Sequence, residues 1–213
     1  MPATARKPVL PAPTQERSEA TRDRLLRATI ELLASGGGRA VTHRAVAEAA
    51  GAAHGSTRYY FANRDELIRA ALRKLAEEDV AAVAAELEQV PHGPAEPARI
   101  AKRLAALLSE RIRRDPDREL SRYELFLLAA REPALRRDLD AWGNAYRGLF
   151  AAFLERLGSS DPETDAHLIL SAGNALLLEQ VAMRRRNFEE AILRPALTRL
   201  LTLAGEGQRS QPK

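Results

Sequence analysis

Apolar residues recur along this chain at three- and four-residue intervals, and the intervals are punctuated by glycine, proline and capping residues. The spacing predicts about nine helices and no strand. In the first, Ser18 to Ser35, Leu25, Thr29, Leu32 and Leu33 share one face, flanked by Leu26 and Ile30, and Gly36-Gly37-Gly38 ends it as C-cap and hinge. Thr42 caps a short second helix with Ala45, Val46 and Ala49 on its apolar side, and Gly51 makes the turn into a third, from His54 to Phe61. Asn63 caps a fourth helix, which runs to about Leu87; Pro91, Gly93, Pro94 and Pro97 interrupt the chain there. The fifth helix spans Pro97 to Arg114, and Asp117 caps a sixth that ends at Ala130. Pro133 opens a seventh with a stripe of Leu135, Leu139, Trp142, Tyr146, Leu149, Phe150, Phe153 and Leu157. Asp161-Pro162 starts an eighth, expected to reach about Arg186 and apolar on more than one face. In the ninth, Leu197, Leu200, Leu201 and Leu203 follow Pro195, which should start or kink a turn. The fold class is therefore all-α.

The second and third helices are the informative pair. Two helices joined by a short glycine-containing turn form a helix-turn-helix, whose second member enters the DNA major groove, although the spacing alone also fits an ordinary helical hairpin. The third helix is too short to stand alone in water and needs neighbouring helices to support it. Its side chains suit nucleic acid: Arg58, Tyr59 and Tyr60 are phosphate-seeking, while His54, Ser56 and Thr57 are short enough for base edges.

Residues Gly51 to Arg64, with Thr42 and Ala47 before them and Leu67 after, resemble the amino-terminal DNA-binding domain of TetR-family transcriptional regulators. The run is Ala50-Gly51-Ala52-Ala53-His54-Gly55-Ser56-Thr57-Arg58-Tyr59-Tyr60-Phe61-Ala62-Asn63-Arg64-Asp65-Glu66-Leu67. It departs from the family pattern at Ala53, where a capping serine is usual, at Arg58, where a tyrosine is usual, and at Arg64, where a lysine is usual. The resemblance implies a homodimeric regulator of double-stranded DNA, most often a repressor, that reads a near-palindromic operator. Arg44, His54, Ser56 and Tyr59 are then the base-reading candidates, and Thr42, Arg58, Tyr60 and Arg64 the phosphate-positioning ones. It also implies three helices for DNA, six for a regulatory body that takes a small-molecule effector, and a dimer interface built from the last two helices; completion of a monomer core is the alternative for those two.

Charge distribution agrees. The first 70 residues carry 11 Lys/Arg and 7 Asp/Glu, while the remainder is balanced at 22 of each, so the whole net charge of +4 falls on the part with the helix-turn-helix. This modest excess argues against a sequence-indifferent architectural DNA-binding protein, which needs many phosphate contacts and is the runner-up reading. There is no cysteine, which excludes disulfide and thiolate-metal chemistry. His43, His54, His92 and His167 share no metal-ligand spacing, no nucleophile elbow is present, and the glycine triplet lacks the Lys-Ser/Thr of a phosphate loop. We therefore expect no enzyme, no cofactor, no membrane span, and a cytoplasmic location. The expected organisation is a disordered tail over 1–17 (with Arg6 and Lys7), a DNA-binding domain over 18–64, a ligand-binding and dimerisation domain over 65–205, and a polar tail over 206–213.

For the effector, Tyr123 and Glu124 on the sixth helix, Trp142 and Tyr146 on the seventh, and Asn174 and Glu179 on the eighth place polar groups around an aromatic space. The expected ligand is an apolar or aromatic small molecule with one or two polar handles, and Glu124 or Glu179 would favour a cation. The same stripe also reads as plain core.

Overall fold

The computed structural model describes residues 14–90 and 96–206, so residues 1–13 of the expected amino-terminal tail, with Arg6 and Lys7, the loop with His92 and the last residues of the polar tail lie outside the described residues. Among the described residues there is no strand. The helices are α1 (Thr14–Ala40), α2 (His43–Ala49), α3 (Ser56–Tyr60), α4 (Arg64–Glu88), α5 (Pro97–Arg114), α6 (Pro116–Arg131), α7 (Pro133–Arg156), α8 (Pro162–Met183) and α9 (Arg194–Glu206), the last preceded by a π-turn at Glu189–Leu193.

Local chemistry sets most boundaries. The Thr42 side chain accepts from the amide of Ala45, Asn63 from Glu66 and Asp161 from Thr164, so each gives an otherwise orphaned first-turn amide a partner. Four boundaries differ from the sequence reading. Helix α1 starts at Thr14, inside the expected tail, and its helical path breaks only at Gly37, with φ 62° and ψ −165°, a conformation that side chains with a Cβ avoid. Helix α6 is capped by Asp115, not Asp117, because the Asp115 carboxylate accepts from the amide of Arg118. Helix α8 stops at Met183, where Arg184 turns left-handed (φ 49°, ψ 49°) and the Gln180 amide group bonds both backbone polar groups of Arg185. Helix α3 starts at Ser56, not His54. Pro195 lies in the first turn of α9, in keeping with a proline that starts a turn. The widened π-turn just before it accommodates a ring that cannot donate to the preceding turn.

Two apolar clusters hold the helices together. One joins Leu25, Leu33, Val41, Val46 and Phe61 of the amino-terminal helices to Leu67, Leu72 and Leu75 of α4, and it extends to Leu125, Leu135 and Trp142 of α6 and α7. The other packs Leu87, Ile100, Leu104, Phe153, Leu154, Ile169, Leu193 and Leu197 within the carboxy-terminal helices. Each buried leucine contributes about 1.5–3 kcal/mol. Because the first cluster crosses from α1 to α6 and α7, the amino-terminal helices do not form a core of their own.

Candidate functional site: a DNA-reading face and a cavity behind it

The short helix α3 is held from behind. Thr57 is fully buried, and its hydroxyl donates to the backbone carbonyl of His43 at 3.2 Å, locking α3 onto α2. The tight turn between them depends on Gly51, whose φ of 59° suits a residue without a Cβ. The N-cap of α3 is Gly55, with no side-chain capping bond. Ala53 cannot supply one.

On the open side, Arg44, His54, Gly55 and Arg58 line one shallow groove together with His43. Tyr59 projects outward, 81% exposed. Thr42 is exposed and Ser56 half-buried. Two residues expected at phosphates are engaged inside the protein. The Tyr60 hydroxyl lies 3.0 Å from the Ser18 hydroxyl of α1, and its ring packs edge-on against Tyr59, with centroids 5.0 Å apart. The Arg64 guanidinium donates to the Gly38 carbonyl at 2.7 Å and to the Glu132 carboxylate at 3.3 Å. It therefore ties the start of α4 to the end of α1 and to the α6–α7 junction. A guanidinium in that geometry braces the reading head.

Behind the head, α5, α6, α7 and α8 enclose a cavity of about 190 Å³. Of the six residues singled out in the sequence, Trp142, Tyr146 and Asn174 line it. Tyr123 does not: its hydroxyl donates to the backbone carbonyl of Asn174 at 3.1 Å, joining α6 to α8, and burial pushes its phenol up to about 12. Glu124 faces the kink, where its Oε2 lies 2.9 Å from the position a Gly37 Cβ would take. Glu179 pairs with Arg185 on the surface. The expected acidic handle is thus absent from the cavity wall: Glu124 lies against the α1 kink and Glu179 is paired with Arg185. The sequence reading missed Arg111, Arg122, Phe126, Arg147 and His167, all on the lining. The signal was available in helical phase: Arg122 and Phe126 lie one turn apart, a face rotated by one residue from Tyr123 and Glu124.

Two of those arginines belong to a buried ion cluster. Asp79 of α4 accepts from Arg111 at 3.0 Å, Arg122 at 2.9 Å and Arg118 at 3.1 Å, and Glu119 accepts from Arg111 at 3.2 Å and Arg122 at 3.1 Å. Asp79, Glu119 and Arg122 are 3%, 2% and 6% exposed, so little solvent screens them. Burial alone would lower the Arg111 pKa, but Asp79 and Glu119 more than offset this and raise it. Toward the surface the network continues through Glu78, which pairs with Arg118 and Lys74, and Asp23 of α1, which pairs with Lys74. Arg122 Nε and Trp142 Nε1 have no hydrogen-bond partner among the described residues, and each such buried group costs about 1–3 kcal/mol; the Tyr146 oxygen faces the Arg111 guanidinium, which can only donate to it, so the Tyr146 proton has no acceptor.

A braced helix-turn-helix with exposed Arg, His and Tyr side chains, set on a helical body with its own cavity, defines a ligand-responsive DNA-binding protein. Residues 25–71 match the family described as "Bacterial regulatory proteins, tetR family", and residues 95–203 match "Tetracyclin repressor-like, C-terminal domain". Among solved structures, a TetR-family member from Streptomyces coelicolor A3 is 33% identical with a TM-score of 0.67, covering 84% of this chain and 97% of its own. The multidrug binding protein EbrR complexed with malachite green is 33% identical with a TM-score of 0.63, covering 84% and 96%. A transcriptional regulator from Rhodococcus sp. Rha1 is 25% identical with a TM-score of 0.69, covering 87% and 96%. No curated protein matches. The chain belongs to the TetR family of transcriptional regulators.

Proposed function

We propose that this regulator is a homodimeric repressor that grips a near-palindromic operator and releases it when a small aromatic molecule fills the cavity. The reading head comprises residues 18–64 and the body residues 65–205. Arg44, His54, Ser56 and Tyr59 read base edges, and Thr42 and Arg58 position phosphates. The observation that carries this is the shared open face of Arg44, His54 and Arg58, with Tyr59 projecting beside it. Two copies of α3 would enter successive major grooves about 34–36 Å apart.

The dimer uses α8 and α9. Leu168, Leu178 and Met183 of α8 and Leu203 of α9 are 52%, 48%, 64% and 48% exposed, an apolar surface that water leaves uncovered at a cost. Helix α8 is long and apolar enough by length and composition to cross a bilayer. It packs along α7, α9 and α6, and we assign its remaining apolar face to a second copy, in a cytoplasmic protein without enzymatic activity.

EbrR holds proflavin, ethidium and malachite green in its solved complexes, and the aromatic wall of this cavity suits a flat ring in the same way. Ligand that favours a body conformation with mismatched head spacing weakens DNA binding by its differential affinity for the two states.

The test is a gel shift with DNA from just upstream of this protein's own gene against random DNA, at two salt concentrations. Tight binding that depends on a palindrome and survives moderate salt supports the reading. Equal binding to both DNAs, lost with salt, would replace it with a sequence-indifferent architectural role.

A further inference from the structure

The charged groups lining the cavity are all basic. They are Arg111, Arg122 and Arg147, with the His167 imidazole beside them, and among the described residues no Asp or Glu joins the lining. Asp79 and Glu119, which neutralise Arg111 and Arg122, are not on the lining, and both are already engaged by those guanidinium groups. A positively charged guest would therefore meet cations first, and its counter-charges would be out of reach. Glu119 Oε2 is a free acceptor, but it is buried outside the lining with the rest of that side chain.

The unpartnered atoms point the same way. Arg122 Nε–H and Trp142 Nε1–H can only donate, and the Tyr146 hydroxyl, whose oxygen faces the Arg111 guanidinium, keeps its proton as a third donor. These atoms belong to lining side chains but are closed to water in the empty cavity, so a guest that shifts the wall by its own fit can bring an acceptor oxygen to them, whereas an ammonium group brings further donors and satisfies none of the nitrogens. The ring system for a flat guest is present as well. Trp142 lies 6.2 Å from Phe126 and 6.3 Å from Tyr146, centroid to centroid, and the Arg122 guanidinium sits 5.7 Å from the Trp142 ring centroid.

We propose that the cavity selects aromatic molecules that carry acceptor oxygens and no positive charge, carboxylates and ketones among them, and discriminates against organic cations. This rests on the reading of the cavity as the effector site.

The experiment uses the full chain and a matched pair with one ring system: 2-naphthoate and 2-naphthylmethylammonium, titrated by calorimetry near neutral pH. Naphthoate is expected to bind at least about tenfold more tightly, and Tyr146→Phe, which removes a donor from the wall, to weaken naphthoate about tenfold and the ammonium by less. Trp142→Phe keeps a ring on the wall but removes its donor and should also weaken naphthoate. Equal or tighter binding of the ammonium overturns the proposal while leaving the cavity as an effector site. A naphthoate preference indifferent to both substitutions places the anion elsewhere and also overturns it. If neither compound binds at millimolar concentration, the effector-site reading falls and takes the proposal with it.

Discussion

Asp79→Asn is the sharpest test of how the body is held together. The carboxylate is 3% exposed and accepts from three arginines, through Oδ2 from Arg111 and Arg122 and through Oδ1 from Arg118. An asparagine can keep the Oδ1 bond, but in place of Oδ2 it presents an amide donor to two guanidinium donors. Arg118 still has Glu78, so the orphaned charge is that of Arg111 and Arg122, left with Glu119 alone. Removing one member of a buried pair costs about 3–5 kcal/mol, and the surviving Glu119 contacts place this case at about 3. For a chain of 213 residues that lowers Tm by about 6–12 °C, read by circular dichroism and checked against the urea midpoint. Adding Arg122→Met removes much of the excess charge, so the double variant should regain part of the loss, a non-additivity of about 0.5–3 kcal/mol. A fall in Tm below about 2 °C for Asp79→Asn would mean that water screens the cluster and that it is not a buried electrostatic unit.

Three further outcomes follow from the same geometry. Gly51→Ala meets no atom within 4 Å, so its cost is that of a left-handed backbone alone, about 1 kcal/mol, and Tm should drop by about 2–4 °C; an unchanged Tm would mean that the turn relaxes. Arg58→Ala should flatten the log–log salt slope of operator binding by about 2 per dimer, from two lost phosphate contacts, whereas Arg64→Ala should lower Tm and leave the slope alone; the opposite pattern in the gel shift would exchange their roles. Burial alone would raise the Asp138 pKa, but hydrogen bonds from Arg69 and Arg73 more than offset this and hold it below its ordinary 3.8. Its folded value is thus the lower one. Its stabilisation is present above pH about 4 and fades as pH falls through the folded value, so Asp138→Asn should show a shallower acid loss of Tm than the parent. Parallel curves would remove Asp138 from the acid response.

What could be read from the sequence was what depends on near neighbours. The caps Thr42, Asn63 and Asp161 each serve an amide three residues on, and Pro97 and Pro133 open helices because a first-turn residue needs no amide. Gly51 was legible because its task, a positive φ, is a property of the residue itself. Asp115 was legible too, because Pro116 after it is preorganised for the first helical position as Pro162 is after Asp161, and the choice of Asp117 overlooked that signal. Long charged side chains were the least legible. Arg64 reaches partners 26 and 68 positions away, and Arg111, which suited the dipole of its own helix, instead meets Asp79 and Glu119. No local pattern encodes such pairings, because they exist only once four helices have packed.

Helix α6 shows why one residue of phase matters for function. Its neighbouring faces have different duties. Ser121 donates to the Ile30 carbonyl of α1 at 2.8 Å, Leu125 enters the core shared with the reading head, and Leu128 lies against Gly38 beside the α1 kink. Arg122 and Phe126, one residue further round in each case, form the cavity wall. A helix of sixteen residues moves nearly as a rigid rod, so a guest that shifts Arg122 and Phe126 cannot leave Ser121 and Leu125 where they were. Those contacts continue to α1, and Arg64 fastens the end of α1 to α4, the helix that follows the reading helix. Packed interfaces of this kind switch between discrete arrangements and do not deform smoothly, so under the proposed function a small displacement in the cavity would become a change in head spacing. The cavity and the DNA-reading face need no separate relay, because they lie against adjacent sides of one connected set of helices.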